Sequence, residues 1–326
     1  MNIGDIAEMA GVSRAAVSRY LNNGYISKEK RERIRKVIEE TGYRPSVMAQ
    51  ILRTKKTHLV GVVLPRIHSD SISAVVAGIG HSLNCAGYDM LLATTDNEPE
   101  KELDFLRIFS NDRVDGIIIL ATVITEEHRQ ILNDMKIPVV IAGQTAEGYC
   151  CVSHDDYNAG KQLTERLLAG NRRKIAYIGV RKDDIAVGLR RYEGYLSALK
   201  EAGIEPPPES YETADFSRES GAEAMRRLLQ AYPEPDAVLA ATDSIATGAM
   251  YVLQSSGRRV PEDVAIAGFG DNVISGVTTP GLTTAHFHYR ECGEIAALKL
   301  VERIEGNPDT DENVVLGFEI IERASV

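Results

Sequence analysis

Five residues between positions 14 and 22 have side chains that are small, basic or able to form hydrogen bonds. They lie on one face of a short helical pattern. They are Arg14, Ala15, Ser18, Arg19 and Asn22. Arginine donates hydrogen bonds to guanine edges and to phosphate oxygens, and small side chains let a helix lie deep in a groove. The spacing therefore indicates contact with the major groove of double-stranded DNA, although a solvated amphipathic helix has the same pattern.

A helix-turn-helix would present these side chains. Residues 5–22 read DIAEMAGVSRAAVSRYLN, with Gly11 at the turn between two short helical patterns. Ser13 stands at the N-cap position of the second helix. Val17 and Leu21 give that helix an apolar i, i+4 seam, which leaves the five side chains on the outside.

The charge of the chain differs strongly between its two parts. Residues 1–57 contain twelve Lys and Arg against six Asp and Glu, whereas the whole chain has a formal net charge of −10. The first part is thus +6 and the remainder −16, as counted on the same sequence. A basic segment on an acidic body indicates that the segment meets a polyanion.

Length and composition predict a globular cytoplasmic protein of two or three domains. The chain has 326 residues, no apolar leader pattern and no run of eighteen apolar residues. Its four cysteines form no C-x-x-C pair, so we expect reduced thiols rather than a metal or redox site. No motif implies a cofactor.

From position 58 onward, apolar strand patterns alternate with amphipathic helix patterns in two series. This alternation predicts an α/β body of two Rossmann-like lobes with parallel sheets. Such sheets bind ligands at the carboxyl ends of their strands. The body lacks the dinucleotide, phosphate-loop, nucleophile-elbow and zinc-protease motifs, and His286 and His288 alternate without further metal ligands nearby. A binding protein is therefore favoured over an enzyme.

Several motifs in this order resemble the lactose/galactose repressor (LacI/GalR) family over essentially the whole chain. They are the DIA..AGVS...VSR.LN pattern at 5–22, GYRP at 42–45, VDGII at 114–118, Arg191-x-x-Gly194, PEDVAIAGF at 261–269 and LTT at 282–284. The resemblance implies an N-terminal helix-turn-helix with a hinge helix at 45–53, followed by two lobes of periplasmic-binding-protein type.

The resemblance also implies domain boundaries. Residues 1–57 would form the DNA-binding domain, and residues 58–326 would bind the effector and dimerise. The N-lobe would comprise 58–156 and 286–311, and the C-lobe 157–285 and 312–326. The helix around 73–86 would form much of the dimer contact.

On the DNA side, the resemblance places Arg14, Ala15 and Arg19 at base-reading positions, with Ala15 suited to a thymine methyl group. Arg19 could instead contact phosphate alone. Leu52 aligns with a leucine that wedges into the minor groove at the operator centre. Its alternative role is to pack the linker against the body. Lys55 suits a phosphate contact, and simple solvation is its alternative.

On the effector side, the resemblance places Arg191, Thr242, Asp243 and Gly270 in a cleft between the lobes. Asp243 could equally be a helix N-cap. Thr242 and Gly270 replace the asparagine and aspartate that are usual for sugar binding. Arg66 adds a cation at the cleft mouth, and together with Arg190 and Arg191 it could balance a phosphate.

These details are similar to the trehalose-phosphate-responsive repressors, which predicts a sugar or sugar-phosphate effector. The implied protein is a homodimeric repressor of a carbohydrate-utilisation operon that binds a pseudo-palindromic operator. Inducer and corepressor are both open as the role of the effector. Control by a protein corepressor is the alternative function, and an enzyme acting on a sugar-like substrate is a third class.

Overall fold

The computed structural model describes residues 1–22, 24–43, 56–111, 114–120, 122–307 and 313–326. They divide into two compact units, residues 1–57 and residues 58–326. The predicted hinge helix at 45–53, with Leu52, and the neighbouring Lys55 lie outside the described residues.

The first unit is a small helical domain. Its helices are α1 (Ile3–Met9), α2 (Arg14–Leu21) and α3 (Lys28–Thr41). Ile6, Val17 and Ile34 are fully buried and supply one core residue from each helix. As predicted, the Ser13 side chain caps α2 by accepting a hydrogen bond from the Ala16 backbone N–H at 3.2 Å.

The second unit contains two six-stranded sheets, and the predicted pair of α/β lobes is confirmed. The first sheet consists of β1 (Leu59–Leu64), β2 (Asp89–Thr94), β3 (Gly116–Ile119), β4 (Val139–Ala142), β5 (Cys150–His154) and β11 (Val314–Leu316). Its order is β11-β5-β4-β3-β1-β2, with every pair parallel. The helices of this first lobe are α4 (Asp70–Cys85), α5 (Pro99–Ser110), α6 (Glu126–Asp134) and α12 (Tyr289–Ile304).

The second sheet consists of β6 (Ile175–Gly179), β7 (Tyr211–Thr213), β8 (Ala237–Ala240), β9 (Ala265–Phe269), β10 (Thr283–Phe287) and β12 (Phe318–Ile321). Its order is β12-β10-β9-β8-β6-β7, parallel except for the antiparallel pair of β10 and β12. The helices of this second lobe are α7 (Asp156–Ala169), a π-helix (Ile185–Arg190), α8 (Arg191–Glu201), a 3-10 turn (Pro208–Ser210), α9 (Arg218–Ala231), α10 (Asp243–Ser255) and α11 (Val273–Val277).

In the described residues the chain crosses between the lobes three times, and each of these crossings has one residue outside a helix or strand. These residues are Asp155, His288 and Gly317. The lobe bounds that the resemblance implies put the crossings at 156–157, 285–286 and 311–312. The last of these differs most, because β11 pairs with β5 and therefore belongs to the first lobe. The expected C-lobe segment from 312 onward thus begins only after Gly317.

Two absences apply to the described part of the chain. No helix there is long and apolar enough to span a membrane. No group of three or more His, Cys, Asp or Glu side chains is placed to hold a metal ion there. The four cysteines are free thiols, of which Cys85 alone is exposed.

Candidate functional site

The outer face of α2 carries the side chains predicted to contact DNA. Arg14, Ala15, Arg19 and Asn22 are exposed, and Ser18 is partly exposed. The Asn22 amide donates a hydrogen bond to the Ser18 carbonyl at the end of the helix. The structure therefore brings all five side chains to one short helix, with its apolar side turned to the core.

The basic residues of α2 and α3 differ in their partners. On α3, Arg33, Arg35 and Lys36 pair with glutamates one turn away. Arg14 and Arg19 form no ion pair with any residue that the structure describes. The charges of Arg14 and Arg19 are therefore not balanced by an ion pair among the described residues, and the same holds for Lys28, Lys30 and Arg31 in the first half of α3. A helix of this kind can bind a phosphate backbone and donate to base edges.

The second unit contains a cleft between its lobes, with a cavity volume of about 260 Å³. The lining residues follow the carboxyl ends of strands in both sheets, where open parallel sheets place ligand sites. Those that the argument uses are Arg66, His154, Asp156, Asp184, Arg191, Phe216, Thr242 and Gly270. Three predicted effector residues besides Arg191, namely Arg66, Thr242 and Gly270, thus line the same cavity.

Arg191 is buried in the wall of the cleft and its hydrogen bonds are made within the protein. Its Nε donates to Asp156 Oδ1 at 2.7 Å, and its Nη1 donates to the Ala241 carbonyl at 2.7 Å. The guanidinium also lies 4.8 Å from the ring centroids of Phe269 and Phe287. Burial opposes its charge, but the attraction of Asp156 outweighs burial and raises the pKa of Arg191. The charge of Arg191 is therefore balanced by Asp156.

Close helix packing places these two residues together. A Cβ on Gly160 would lie 2.2 Å from the Arg191 carbonyl oxygen, and one on Gly194 would lie 2.0 Å from the Tyr157 carbonyl oxygen. Glycine at both positions lets α7 and α8 approach to backbone contact. The Arg191-x-x-Gly194 motif is thus explained physically, since Gly194 permits the approach that pairs Arg191 with Asp156.

Arg66, which follows β1 in the first lobe, has a different environment. Its guanidinium lies 4.0 Å from the ring centroid of Phe216, which belongs to the second lobe. Its buried Nε has no hydrogen-bond partner among the described residues. Burial lowers the pKa of Arg66, while Asp184 and Asp215 favour its charged form. Arg66 is therefore a cation of the cleft without an ion-pair partner in the described part of the chain.

The predicted places of Arg190 and Asp243 in the cleft require correction. Arg190 does not line the cleft, because its side chain is exposed and pairs with Glu193 at 3.0 Å. Asp243 does not line the cleft either, because its carboxylate is fully buried. That carboxylate accepts hydrogen bonds from Ser275 Oγ at 2.6 Å, Thr284 Oγ1 at 2.6 Å and the Asn272 backbone N–H at 3.0 Å.

The alternative role of Asp243 as a helix cap is also not observed. The N-cap of α10 is Thr242, whose Oγ1 accepts from the Ile245 backbone N–H at 3.3 Å. Burial raises the pKa of Asp243, and its three donors act against that rise. Asp243 therefore fixes the loop that ends at α11, including Gly270, whose φ of +134° favours glycine.

Several cleft residues were not predicted as effector contacts. Phe216 lies in a loop after β7, and no sequence pattern singled it out. His154 is buried beside the rings of Phe287 and Tyr289, and burial lowers its pKa to about 4. Asp184 accepts a hydrogen bond from the Val187 N–H at 2.9 Å, and burial raises its pKa to about 6.

Comparison with known proteins gives matches at both ends of the chain. A family model described as bacterial regulatory proteins, lacI family, matches residues 2–46. A second, described as a periplasmic binding protein-like domain, matches residues 164–326. The sucrose operon repressor of Staphylococcus xylosus is 34% identical, covering 93% of this chain and 94% of that protein. The transcriptional regulator CelR of Thermobifida fusca is 33% identical, covering 98% and 96%.

Solved structures agree with the fold. A complex of the transcriptional regulator CelR with cellobiose has a TM-score of 0.78 at 31% identity, with all of both chains covered. A lac repressor dimer bound to operator has a TM-score of 0.91 at 24% identity, covering 100% of this chain and 98% of that one. At that identity, the second likeness concerns the fold alone.

Proposed function

The chain belongs to the lacI family of bacterial regulatory proteins and is a DNA-binding transcriptional regulator, and we propose that it represses a carbohydrate-utilisation operon under the control of a sugar effector. The observation that carries the proposal is that Arg14 and Arg19 on α2 are exposed and form no ion pair with the residues that the structure describes. In this proposal residues 1–57 bind DNA and residues 58–326 sense the effector, without catalysis and in the cytoplasm.

The operator contacts divide between the two grooves. From the major groove, Arg14 and Arg19 donate to guanine edges or phosphates, and Ala15 contacts a thymine methyl group. Ser18 and Asn22 lie on the same side of α2 and supply further polar contacts. Leu52 and Lys55 retain their predicted roles, in the minor groove and on phosphate.

A dimer supplies two copies of α2 for a pseudo-palindrome. Apolar side chains that a monomer leaves in water support this assembly. In the first lobe, Leu91 and Leu92 on the edge strand β2 are 39% and 43% exposed. In the second lobe, Val273 and Val277 on α11 are 80% and 69% exposed.

Selection from random duplex DNA with the full-length protein tests the DNA-binding proposal. We expect enrichment of a pseudo-palindrome, and fluorescence anisotropy on that duplex should give an affinity that falls steeply with salt. A matched duplex with scrambled half-sites is the control. Equal affinity for both duplexes at every salt concentration would contradict sequence-specific repression.

For the effector, we propose a disaccharide that carries a phosphate. Arg66 supports this choice, because its guanidinium lines the cleft and has no ion-pair partner among the described residues. The names of relatives support the sugar class, since one is a sucrose operon repressor and another was solved with cellobiose. Arg190 no longer contributes to the argument, and Arg191 is already paired with Asp156.

Isothermal titration calorimetry with trehalose 6-phosphate, sucrose 6-phosphate, trehalose and sucrose tests the effector class. We expect binding of a phosphorylated sugar at the cleft, and a change of operator affinity when that ligand is present. The direction of this change distinguishes an inducer from a corepressor. Binding of the neutral sugars alone would contradict the phosphate part and leave the DNA-binding part standing.

A further inference from the structure

The contact between Arg66 and Phe216 joins the two lobes across the cleft. Arg66 comes directly after Pro65 at the end of β1, and Phe216 lies between β7 and α9 of the second lobe. The guanidinium carbon is 4.0 Å from the ring centroid, well within the range of a cation–π contact. Both residues line the cavity, so the guanidinium lies over an aromatic face that the cleft would otherwise present.

Arg191, the second arginine of the cleft, already has partners within the protein. Arg191 is held by Asp156, by the Ala241 carbonyl and by two phenylalanine rings. Leaving that position would separate a buried ion pair, which is strongly unfavourable. Arg66 has only the ring of Phe216 as a direct partner that the structure describes, and its buried Nε makes no hydrogen bond. Of the two guanidiniums, Arg66 can therefore change partner at the lower cost.

The ring and the cation suit different parts of one ligand. An aromatic face is an apolar surface on which the C–H face of a sugar ring can pack. A guanidinium binds an anionic oxygen through charge-assisted hydrogen bonds, which are stronger than a cation–π contact. Asp184 and Asp215 lie near enough to Arg66 to favour its charged form, so the guanidinium stays cationic and can attract an anionic group.

We propose that Arg66 is a specificity-determining residue that covers the ring of Phe216 and is released from it by an anionic group on the ligand. This inference rests on the proposed sugar effector. It adds that Arg66 disfavours neutral sugars as well as attracting a phosphorylated one. A neutral sugar must displace Arg66 and offers it only uncharged hydroxyl acceptors in return, so Arg66 disfavours its binding. A sugar with a phosphate gives the guanidinium a better partner and uncovers the ring at the same time.

Removal of Arg66 therefore has opposite effects on the two ligand classes. We expect Arg66→Ala to gain affinity for trehalose or sucrose by about 5- to 30-fold, the strength of a desolvated cation–π contact expressed as a ratio. The same variant should lose affinity for the phosphorylated sugars by about 10-fold or more. If Arg66 only attracted phosphate, affinity for the neutral sugars would not change, and that result would overturn the inference.

Two matched controls distinguish the effect of Arg66 from that of a neighbouring arginine and test the role of the Phe216 ring. Arg190→Ala removes a neighbouring arginine that lies outside the cleft and should leave all four affinities unchanged. Phe216→Leu removes the ring, so Arg66→Ala in that background should no longer gain affinity for a neutral sugar. This double-mutant cycle measures the coupling of the two residues. An unchanged gain in the Phe216→Leu background would contradict a shared role.

A measurement without any sugar tests the covering itself. The chain contains no tryptophan, so Phe216→Trp introduces a single tryptophan fluorophore at the ring position, which can be excited apart from the tyrosines. Acrylamide should quench this fluorophore more strongly after a second change, Arg66→Ala. Inorganic phosphate should also increase quenching when Arg66 is present, whereas potassium chloride at equal ionic strength should not. Equal quenching with and without Arg66 would overturn the inference.

The two readouts also separate this inference from the proposed function. If no sugar binds but the quenching results hold, the covering by Arg66 stands and the sugar effector is wrong. If sugars bind and quenching is independent of Arg66, the effector stands and the covering is wrong.

Discussion

Arg191 and Asp156 form a buried ion pair whose nitrogen and oxygen are 2.7 Å apart, with each side chain at most 5% exposed. The pair joins the first residues of two neighbouring helices, α8 and α7. It sits where the chain leaves the first lobe, one residue after Asp155. Its first consequence is for stability, because a charge buried beside its partner is costly to leave alone.

Asp156→Asn should lower the free energy of unfolding by about 3–5 kcal/mol, because the variant leaves the buried charge of Arg191 without its partner. Urea unfolding followed by circular dichroism measures the change. Glu322→Gln is the control, since it breaks the exposed pair with Arg166 and should cost at most about 1 kcal/mol. Similar losses for both variants would contradict the importance assigned to the buried pair.

Gly194→Ala should destabilise the second lobe by about 1–3 kcal/mol or more, because its Cβ would lie 2.0 Å from the rigid backbone oxygen of Tyr157. The shift of the two helices should also displace Arg191 and weaken ligand binding in calorimetry. Gly276→Ala is the matched control, since nothing lies within 4 Å of that position and its helix favours alanine. A stable Gly194→Ala variant with unchanged binding would refute the close-packing explanation.

Arg19→Ala should reduce operator affinity by about 5- to 150-fold, corresponding to the 1–3 kcal/mol of a specific base contact. Anisotropy on operator duplexes that differ at single base pairs measures which base loses its discrimination. A uniform loss over all duplexes, with a salt slope smaller by about 1, would instead indicate a phosphate contact. Arg35→Ala, which removes an arginine already paired on α3, should change affinity little.

Asp184→Asn should alter how stability depends on pH. Burial raises the pKa of Asp184 from 3.8 to about 6, so the folded state holds this proton more tightly than the unfolded state. Its contribution is present below the unfolded pKa and is lost as pH rises through about 6, which amounts to roughly 3 kcal/mol. Asparagine retains an acceptor for the Val187 N–H and does not titrate.

The measurement is the difference in unfolding free energy between Asp184→Asn and the parent protein at pH 4 and at pH 8. We expect the variant to gain relative stability at the higher pH. Asp183→Asn is the neighbouring control, because pairing with Arg181 lowers the pKa of Asp183. Its effect has the opposite sign and lies at lower pH, so equal pH profiles for the two variants would contradict the assignment.

Local patterns were sufficient to predict the helix-turn-helix and the alternation of strands and helices that begins at position 58. Ser13 caps α2 as expected, and β1 occupies the residues of its apolar run, 59–64. These features depend on nearest neighbours and on periodicity, which a sequence displays directly. The placement of Arg191 in the cleft came instead from the family resemblance, which did not indicate its ion pair with Asp156.

Side-chain direction and long-range partners could not be predicted in the same way. Asp243 begins α10 next to cleft residues, but its partners Ser275 and Thr284 are 32 and 41 residues away. No local pattern indicates that these hydroxyls turn the carboxylate inward. Phe216 gives no signal either, because a single aromatic residue in a loop acquires its role only when the first lobe brings Arg66 to it.

Asp155, His288 and Gly317 are each the single residue between elements that are anchored in different lobes. Each contributes two soft backbone torsions, φ and ψ. As long as the flanking strands and helices keep their structure, the lobes reorient through these six torsions. The three connections must turn together, because all of them join the same two lobes. The two lobes can therefore reorient in only a few directions. A ligand in the cleft would act on this restricted hinge motion.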